Sequence, residues 1–258
     1  MKYRILTHES LNSKYFHLRL LAPEIAQTAA PGQFVMIKVT TCHQDPLLRR
    51  PISVMDADPS TGILELLYSV VGKGTRLLST WKAGDCLDIV GPLGNGFNPK
   101  PGHHTSLLVC GGIGTPPMVY LARILASRQC GATFAFLGAR TADDIVCENK
   151  FEQYGATVYI ATENGEKGSK GLVTEPLISF LNLSPSNPVL YACGPKPMLK
   201  AVMKIGLERK IPTFLSLEEH MGCGIGACLG CVVQTDEGPV RVCTEGPVFD
   251  ARRLGDKW

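Results

Sequence analysis

The segment EEHMGCGIGACLGCVV, residues 218–233, sets three cysteines within nine residues and four glycines around them. Cys243 follows after eleven more residues, so the spacing is C-x4-C-x2-C-x11-C. The first three positions match a spacing that holds a two-iron, two-sulfide cluster on thiolates. Such a cluster needs four thiolates converging on a compact anion, and bulky side chains in the loop would block the approach. Gly222, Gly224, Gly226 and Gly230 let the backbone wrap tightly and turn N–H groups toward sulfur. Cys223, Cys228, Cys231 and Cys243 are therefore candidate ligands of a [2Fe-2S] cluster. Structural zinc is the alternative. It also takes four cysteines, but commonly as C-x2-C pairs, and here Cys228 and Cys231 form one pair without a second. Free thiols are a third reading. Glu219 and His220, beside the first cysteine, are read as solvated or as neighbours of the ligands.

Three further stretches have the chemistry of anion binding. RRPISV, residues 49–54, places Arg50 where it would meet a flavin pyrophosphate and Ser53 where it would bond an isoalloxazine edge. A surface arginine before an edge-strand proline is the alternative. In GKGT, Gly74 and Thr75 would offer backbone N–H groups to phosphate at a helix start. LLVCGGIGTPPMVYLAR runs from an apolar strand through a glycine turn into a helix opened by prolines, which the first helical turn tolerates. Gly111, Gly112 and Gly114 would admit a dinucleotide pyrophosphate there, although the pattern departs from G-x-G-x-x-G. YACGPKPML repeats the arrangement at a later strand end, putting Cys193, Gly194 and Pro195 near a nicotinamide. Glu163 and Arg140 also follow strand ends. Glu163 could face an adenosine ribose and Arg140 a 2′-phosphate, or both could be solvated.

These motifs need elements to carry them. Six short β-type runs lie between residues 1 and 98: YRILTH, YFHLRLLA, QFVMIKV, PISVMDA, GILELLYSV and DCLDIVG. With turn residues between them and no long helix, they predict an antiparallel barrel. GPLGNGFNPKPGHH, residues 91–104, reads as an interdomain linker, and His103 and His104 in it as solvated rather than metal-binding. The rhythm then changes. Apolar strands TSLLVC, ATFAFLG, ATVYIAT and NPVLYAC alternate with helical segments at 116–128, 143–152, 172–182 and 196–210. That alternation predicts a parallel sheet with helices on both faces, and FLSLEE is a candidate fifth strand. VVQTDEGPVRV reads as a hairpin turning on Asp236–Pro239. The expected division is a β-barrel domain at 1–98, an α/β domain at 99–212 and a cysteine module at 213–258.

Composition narrows the class. The chain has 258 residues, 45% hydrophobic and 19% charged, enough to bury two cores. A net charge of +3 and the lack of Lys/Arg blocks argue against a nucleic-acid binder. No apolar run reads as a signal peptide or membrane span, so a cytoplasmic location with reduced thiols is expected. Six of the ten cysteines are scattered (Cys42, Cys86, Cys110, Cys130, Cys147 and Cys193) and read mostly as small buried apolar residues.

In order and content, RPIS, GKGT, GGIG and CGPKPM resemble the ferredoxin–NADP reductase superfamily across almost the whole chain. MGCGIGACLGC followed by RVCTEGPVF is similar to the electron-transfer subunits of dihydroorotate dehydrogenase B. The resemblance implies one FAD and one [2Fe-2S] cluster per subunit, with NAD+ as acceptor. It places FAD on Arg50, Pro51, Ile52 and Ser53, on Leu67, Tyr68 and Ser69, and on Gly74 and Thr75. The coenzyme falls on Gly111, Gly112, Gly114, Cys193, Gly194 and Pro195, and the cluster on the four cysteines. Ile52 stands where the superfamily often has an aromatic residue, so no ring stacking is implied there. A separate FMN-bearing subunit would oxidise dihydroorotate in pyrimidine biosynthesis, the assembly being a heterotetramer of two plus two. Electrons would run from FMN through the cluster and FAD to NAD+, with no acid–base residue of this chain acting on dihydroorotate. Rival readings are a reductase subunit for a sulfur reductase, hydrogenase or ferredoxin-dependent transhydrogenase, and a non-catalytic nucleotide sensor with a zinc-stabilised tail.

Overall fold

The computed structural model describes residues 1–40, 45–99, 102, 104–255 and 257–258. Strands β1 (Lys2–Ser10), β2 (Tyr15–Leu21), β3 (Phe34–Lys38), β4 (Arg50–Asp58), β5 (Ile63–Ser69) and β6 (Cys86–Leu93) form a closed antiparallel barrel in the order β1-β2-β5-β4-β3-β6. Closure comes from β1 on β6, with Lys2 opposite Asp88. Alternation fills the interior: Leu18 and Leu20 of β2 meet Leu64 and Leu66 of β5, all at 0% exposure. Two short helices interrupt the strands. Pro23 opens α1 (Pro23–Thr28), where its missing N–H costs nothing. The second, α2 (Lys73–Leu78), follows GKGT's first glycine as its N-cap.

The next unit is the expected parallel sheet, longer than its apolar runs suggested. Its strands are β7 (Thr105–Gly111), β8 (Thr133–Ala139), β9 (Thr157–Thr162), β10 (Ser169–Lys170), β11 (Pro188–Cys193), β12 (Thr213–Ser216) and, after the hairpin β13 (Val232–Thr235) and β14 (Gly238–Arg241), β15 (Val248–Asp250). The order is β10-β9-β8-β7-β11-β12-β15, parallel except for β15. Helices α3 (Thr115–Ser127) and α4 (Glu148–Gln153) lie on one face, α5 (Thr174–Leu181) and α6 (Lys196–Glu208) on the other, with α7 (Ala251–Leu254) against α6. Strand periodicity divides the two cores: Leu107 and Val109 point toward α5 and α6, Leu108 and Cys110 toward α3. FLSLEE supplies the expected strand in its first half, since β12 ends at Ser216 and residues 217–219 run past it. β10 and β15 are too short to show a pattern in sequence. The helix expected over 143–152 is a 3-10 turn at 142–144, then α4, because Cys147 takes a left-handed φ of 64° between them. The hairpin turn is two residues, Asp236 and Glu237, since Gly238 and Pro239 already pair with Thr235 and Gln234.

The glycine- and proline-rich stretch after the barrel is not a free linker. β6 runs on to Leu93, Asn95 bridges to Pro247, and the Phe97 amide donates to Pro31 O at 2.7 Å. The Phe97 ring stands edge-on to Tyr191 at 5.7 Å. Its glycines serve close approach: a Cβ at Gly91 would meet Val35, and one at Gly94 would meet Pro247. His103 and Cys42 lie outside the described residues. His104 is not a solvated loop residue, since its ring Nε2 is buried without a hydrogen-bond partner. Among the scattered cysteines Cys110 and Cys130 are buried, Cys147 and Cys193 half-buried, and Cys86 exposed. Among the described residues no helix is long and apolar enough to cross a membrane.

The barrel and sheet are welded through α3. Arg123 Nε donates to Asp56 Oδ1 at 2.7 Å, its Nη2 donates to Ala57 O at 2.7 Å, and the guanidinium lies over Tyr120. The Tyr120 hydroxyl donates to Ala29 O at 2.8 Å. Asp56 is 17% exposed, so losing Arg123 leaves a mostly buried carboxylate short of its cation. Arg123→Ala should lower unfolding free energy by about 2 kcal/mol, read in urea melts. Arg123→Lys should restore less than half of this, because an ammonium cannot bond both Asp56 and Ala57 in one plane.

Candidate functional site

The sheet order reverses between β7 and β11, and at that switch the C-terminal ends of parallel strands leave a crevice. An open cleft with about 900 Å³ of empty space lies there, between sheet and barrel. From the barrel it is lined by Pro51, Ile52 and Ser53 of β4, Leu67, Tyr68 and Ser69 of β5, and Thr75 of α2. From the sheet come Gly114, Cys193 and Gly194. Ten of the residues singled out in sequence thus meet in one space. Arg50, Gly74, Gly111, Gly112 and Pro195 stand off its wall.

Arg50 lies beside the cleft with its guanidinium against Gly74, where a Cβ would overlap it. It donates to Leu48 O at 2.7 Å. The first amides of α2 have no partner within the helix and open beside that guanidinium. The Thr75 hydroxyl is committed locally: its oxygen accepts from Val71 N at 3.0 Å and Gly72 N at 3.2 Å. Tyr68 borders the cleft although it is only 2% exposed, and its ring packs in the barrel against Phe16. Its hydroxyl is bonded to His8 Nε2 at 2.9 Å, while His8 Nδ1 lies 2.8 Å from Trp81 O. A carbonyl can only accept, so Nδ1 carries the proton and, in neutral His8, Nε2 accepts from Tyr68.

The glycines of GGIG and CGP have a role the sequence reading did not assign them. A Cβ on Gly111 would fall 2.6 Å from Pro195 Cδ, and one on Gly194 would fall 2.9 Å from Gly111 Cα. A Cβ on Gly114 would collide with the Cys193 carbonyl and would lie 2.6 Å from Gly194 N. Gly114 and Gly194 let two strand-end turns touch backbone to backbone, and Gly111 makes room for Pro195 and Met198. Gly112 alone of the four faces open space, at φ +51°. Burial pushes the Cys193 thiol up to about 12, so it stays protonated at neutral pH.

Sequence reasoning missed the floor of the cleft. Ser216, Leu217, Glu218, Glu219 and Met221, which lead from β12 into the cysteine loop, line it together with Phe34 and Ile113. The signal was FLSLEE itself: a strand parallel to CGP must end at the same edge. The cysteine loop then packs on the barrel, since a Cβ at Gly224 would lie 2.6 Å from Met36 Cγ of β3. Of the thiols, Cys231 and Cys243 are buried, Cys223 is half-buried and Cys228 exposed. Ile225 N and Cys228 N both donate to Cys223 Sγ at 3.4 Å, and Gly230 N to Cys228 Sγ at 3.5 Å. These backbone donors, from Ile225 first, bring the Cys223 thiol down to about 6. Burial, then Cys231 beside it, takes Cys243 up to about 11. Arg241 ties the loop to the Cys243 turn by donating to Gly226 O at 3.4 Å and is itself paired with Glu245 at 3.0 Å.

The residues fit a thiolate-bound cluster. Gly222 and Gly230 leave room beside Cys228 sulfur that a Cβ would take up at 3.3 and 3.5 Å. The donors are all sulfur, with backbone N–H groups turned toward them. Among the described residues no three His, Cys, Asp or Glu side chains are drawn together as a metal site, the four cysteines included. Leu229, exposed at the loop tip, holds φ +57°, an uncommon conformation for a branched side chain.

Three family models match in succession: an oxidoreductase FAD-binding domain at residues 4–97, an oxidoreductase NAD-binding domain at 108–204, and the iron-sulfur cluster binding domain of dihydroorotate dehydrogenase B at 218–255. The chain is 43% identical over 239 residues to the dihydroorotate dehydrogenase B (NAD(+)) electron transfer subunit of Desulforamulus reducens, covering 91% of this chain and 90% of the relative. Against the protein of the same name from a Geobacillus species it is 42% identical over 257 residues, 96% of this chain and 95% of the relative. Among solved structures, a chain of the NADH-dependent reduced ferredoxin-NADP oxidoreductase superposes with a TM-score of 0.87 at 29% identity, over 98% of this chain and 89% of its own. The ferredoxin reductase of carbazole 1,9a-dioxygenase shares the fold, with a TM-score of 0.68 at 24% identity over 82% of this chain and 66% of its own.

The two glycine environments predict opposite tolerance. Gly112→Ala should cost about 1 kcal/mol, the price of a left-handed alanine. Gly114→Ala must push one backbone away from the other and should cost about 3 kcal/mol. Urea unfolding of both variants checks this, and equal losses would contradict the packing role.

Proposed function

The chain belongs to the family of dihydroorotate dehydrogenase B (NAD(+)) electron transfer subunits, and from that premise we propose that it carries electrons between a dihydroorotate-oxidising partner subunit and NAD+ in pyrimidine biosynthesis. The observation that carries the reading is the contiguity of the site. One cleft joins the RPIS and LYS strands to the switch-point turns, and its floor runs directly into the four-cysteine loop. When bound, the flavin supplies both single-electron and two-electron exchange and the cluster single-electron exchange, which a two-electron coenzyme and a one-electron relay together require.

This chain's residues supply placement. Residues 1–98 hold FAD: Arg50 and the amides of Gly74 and Thr75 meet the pyrophosphate, while Pro51, Ile52, Ser53 and the backbone of Leu67, Tyr68 and Ser69 border the ring. Residues 99–212 hold NAD+ at Gly112, with Gly111, Gly114, Gly194 and Pro195 shaping the turn beside it. Cys193 would lie beside the nicotinamide as a neutral thiol, adding no charge to that wall of the cleft. Ile52, Leu67, Ile113, Leu217 and Met221 give that surface apolar walls. Residues 213–258 hold the cluster on Cys223, Cys228, Cys231 and Cys243. The partner carries FMN in a heterotetramer of two plus two, and the complex is cytoplasmic, where these thiols stay reduced. A second reading, a reductase subunit serving a different flavoprotein, is favoured by the 0.87 TM-score to the ferredoxin-NADP oxidoreductase chain.

Anaerobically purified protein should contain one FAD with two irons and two acid-labile sulfides per chain. Alone, it should oxidise NADH with ferricyanide and leave dihydroorotate untouched. Dihydroorotate:NAD+ turnover should appear only when the FMN subunit is co-expressed, and turnover by this chain alone would defeat the proposal. Cys228→Ser should bleach the cluster spectrum and lower coupled turnover at least ~100-fold, while NADH:ferricyanide activity survives. Zinc in place of iron in anaerobic preparations would refute the cluster assignment.

A further inference from the structure

Beyond the cleft, the C-terminal edge of the parallel sheet continues from β7 to β8 and β9. In the other direction β12 leads into Ser216–Met221 and the cysteine loop, so that side is filled by the chain itself. A dinucleotide with its nicotinamide at Cys193 must therefore lay its adenosine toward β8 and β9, two to three strand spacings away, ~10–14 Å.

Two loops form that lip. β8 ends at Ala139 and is followed by Arg140, Thr141 and the 3-10 turn at 142–144. β9 ends at Thr162 and is followed by a turn that doubles back to β10. The second loop is tied to the first: Glu163 N donates to Ala139 O at 3.0 Å and Asn164 N to Arg140 O at 3.3 Å. Glu166 makes a further tie, its Oε2 accepting from Ala142 N at 3.2 Å while its own amide donates to Asn164 Oδ1 at 3.1 Å. Lys167 is paired with Glu148 and Asp144 with Lys14, while Lys170 is exposed, lies with its stem along Gly165 and has no ion pair among the described residues. Arg140, Asp143 and Glu163 are exposed, and among the described residues Arg140 has no ion-pair partner. An arginine after this strand is the kind of group that accommodates a 2′-phosphate. The lip nevertheless sets Glu166, Glu163 and Asp143 against it.

We propose that Glu166 selects NAD over NADP. Fixed on Ala142 N–H, its carboxylate keeps lone pairs for a ribose 2′-hydroxyl, which can donate to it. A 2′-phosphate offers only acceptors and negative charge, and is repelled despite Arg140. Contacts from the Asn164 side chain first, then Ala142 N–H, hold the Glu166 carboxyl below the usual carboxylate range, so it is ionised at neutral pH. The inference rests on the coenzyme reading above and adds the residue that decides its specificity.

The test uses the full FAD-loaded chain with ferricyanide, measuring kcat and KM for NADH and NADPH. Glu166→Gln keeps an oxygen for Ala142 N–H and removes only the charge. Its NADPH kcat/KM should rise about tenfold, mainly through KM, the scale of contact-distance repulsion between exposed charges. The gain should shrink between low and high salt. It should vanish in the Glu166→Gln, Arg140→Ala double variant, because the arginine is then the missing phosphate partner. An NADH-to-NADPH ratio that moves less than about twofold in Glu166→Gln overturns the inference while leaving the coenzyme site standing. If the parent chain oxidises neither coenzyme, the site reading fails and this inference fails with it.

Discussion

Everything at the cleft depends on two strand ends meeting without a side chain between them. β7 and β11 are neighbours in register, Cys110 opposite Cys193, and their helices leave on opposite faces of the sheet. The turns must pass within van der Waals contact, and Gly111, Gly114 and Gly194 are the positions where that contact occurs. A Cβ at Gly114 would press on the Cys193 and Gly194 backbone, and one at Gly194 on Gly111. What looks like a ligand motif is first a packing motif, and the ligand surface is what the packing leaves over.

That constraint explains why some of the site was legible in sequence and some was not. RPIS, GKGT, GGIG, CGP and the cysteines announced themselves by residue type and spacing, because glycine, proline and cysteine tolerate few uses. The barrel strands and the four long parallel strands were legible from alternation and apolar runs, which burial enforces. Periodicity could not reveal β10 and β15, at two and three residues, nor the break at Cys147, whose φ of 64° is set by tertiary packing. The stretch after the barrel does join the two units, but residue type could not show how closely it packs: Gly91 and Gly94 mark places where other chain segments press closest.

The tail shows how a third unit can be added without a separate core. β15 completes the sheet edge on β12, Asn95 reaches Thr244 O at 2.8 Å, and Gly224 rests on Met36 of the barrel. Cys231 and Cys243 belong to the same apolar cluster as Leu215 and Phe249. The inner thiols are thus packed into that core, while Cys223 and Cys228 accept hydrogen bonds from the amides of their own loop. Half of the tetrad is fixed by packing and half by hydrogen bonds.

The electrostatics of that loop follow from what it lacks. From Met221 to Val233 there is no charged side chain. Arg241 is the nearest cation tied to the loop, and Glu245 neutralises it through bonds at 3.0 and 3.2 Å. Thiolate charge must then be met by amides, and Ile225 N, Cys228 N and Gly230 N all point at sulfur. An amide donor carries no net charge, so it stabilises an anion beside it without fixing a cation in the path of an electron. Left-handed Gly224, Gly226 and Leu229 are what turn those amides inward. The glycines around the cysteines therefore act electrostatically through backbone shape, and replacing them by residues of any charge would disturb the sulfurs more than a remote surface charge could.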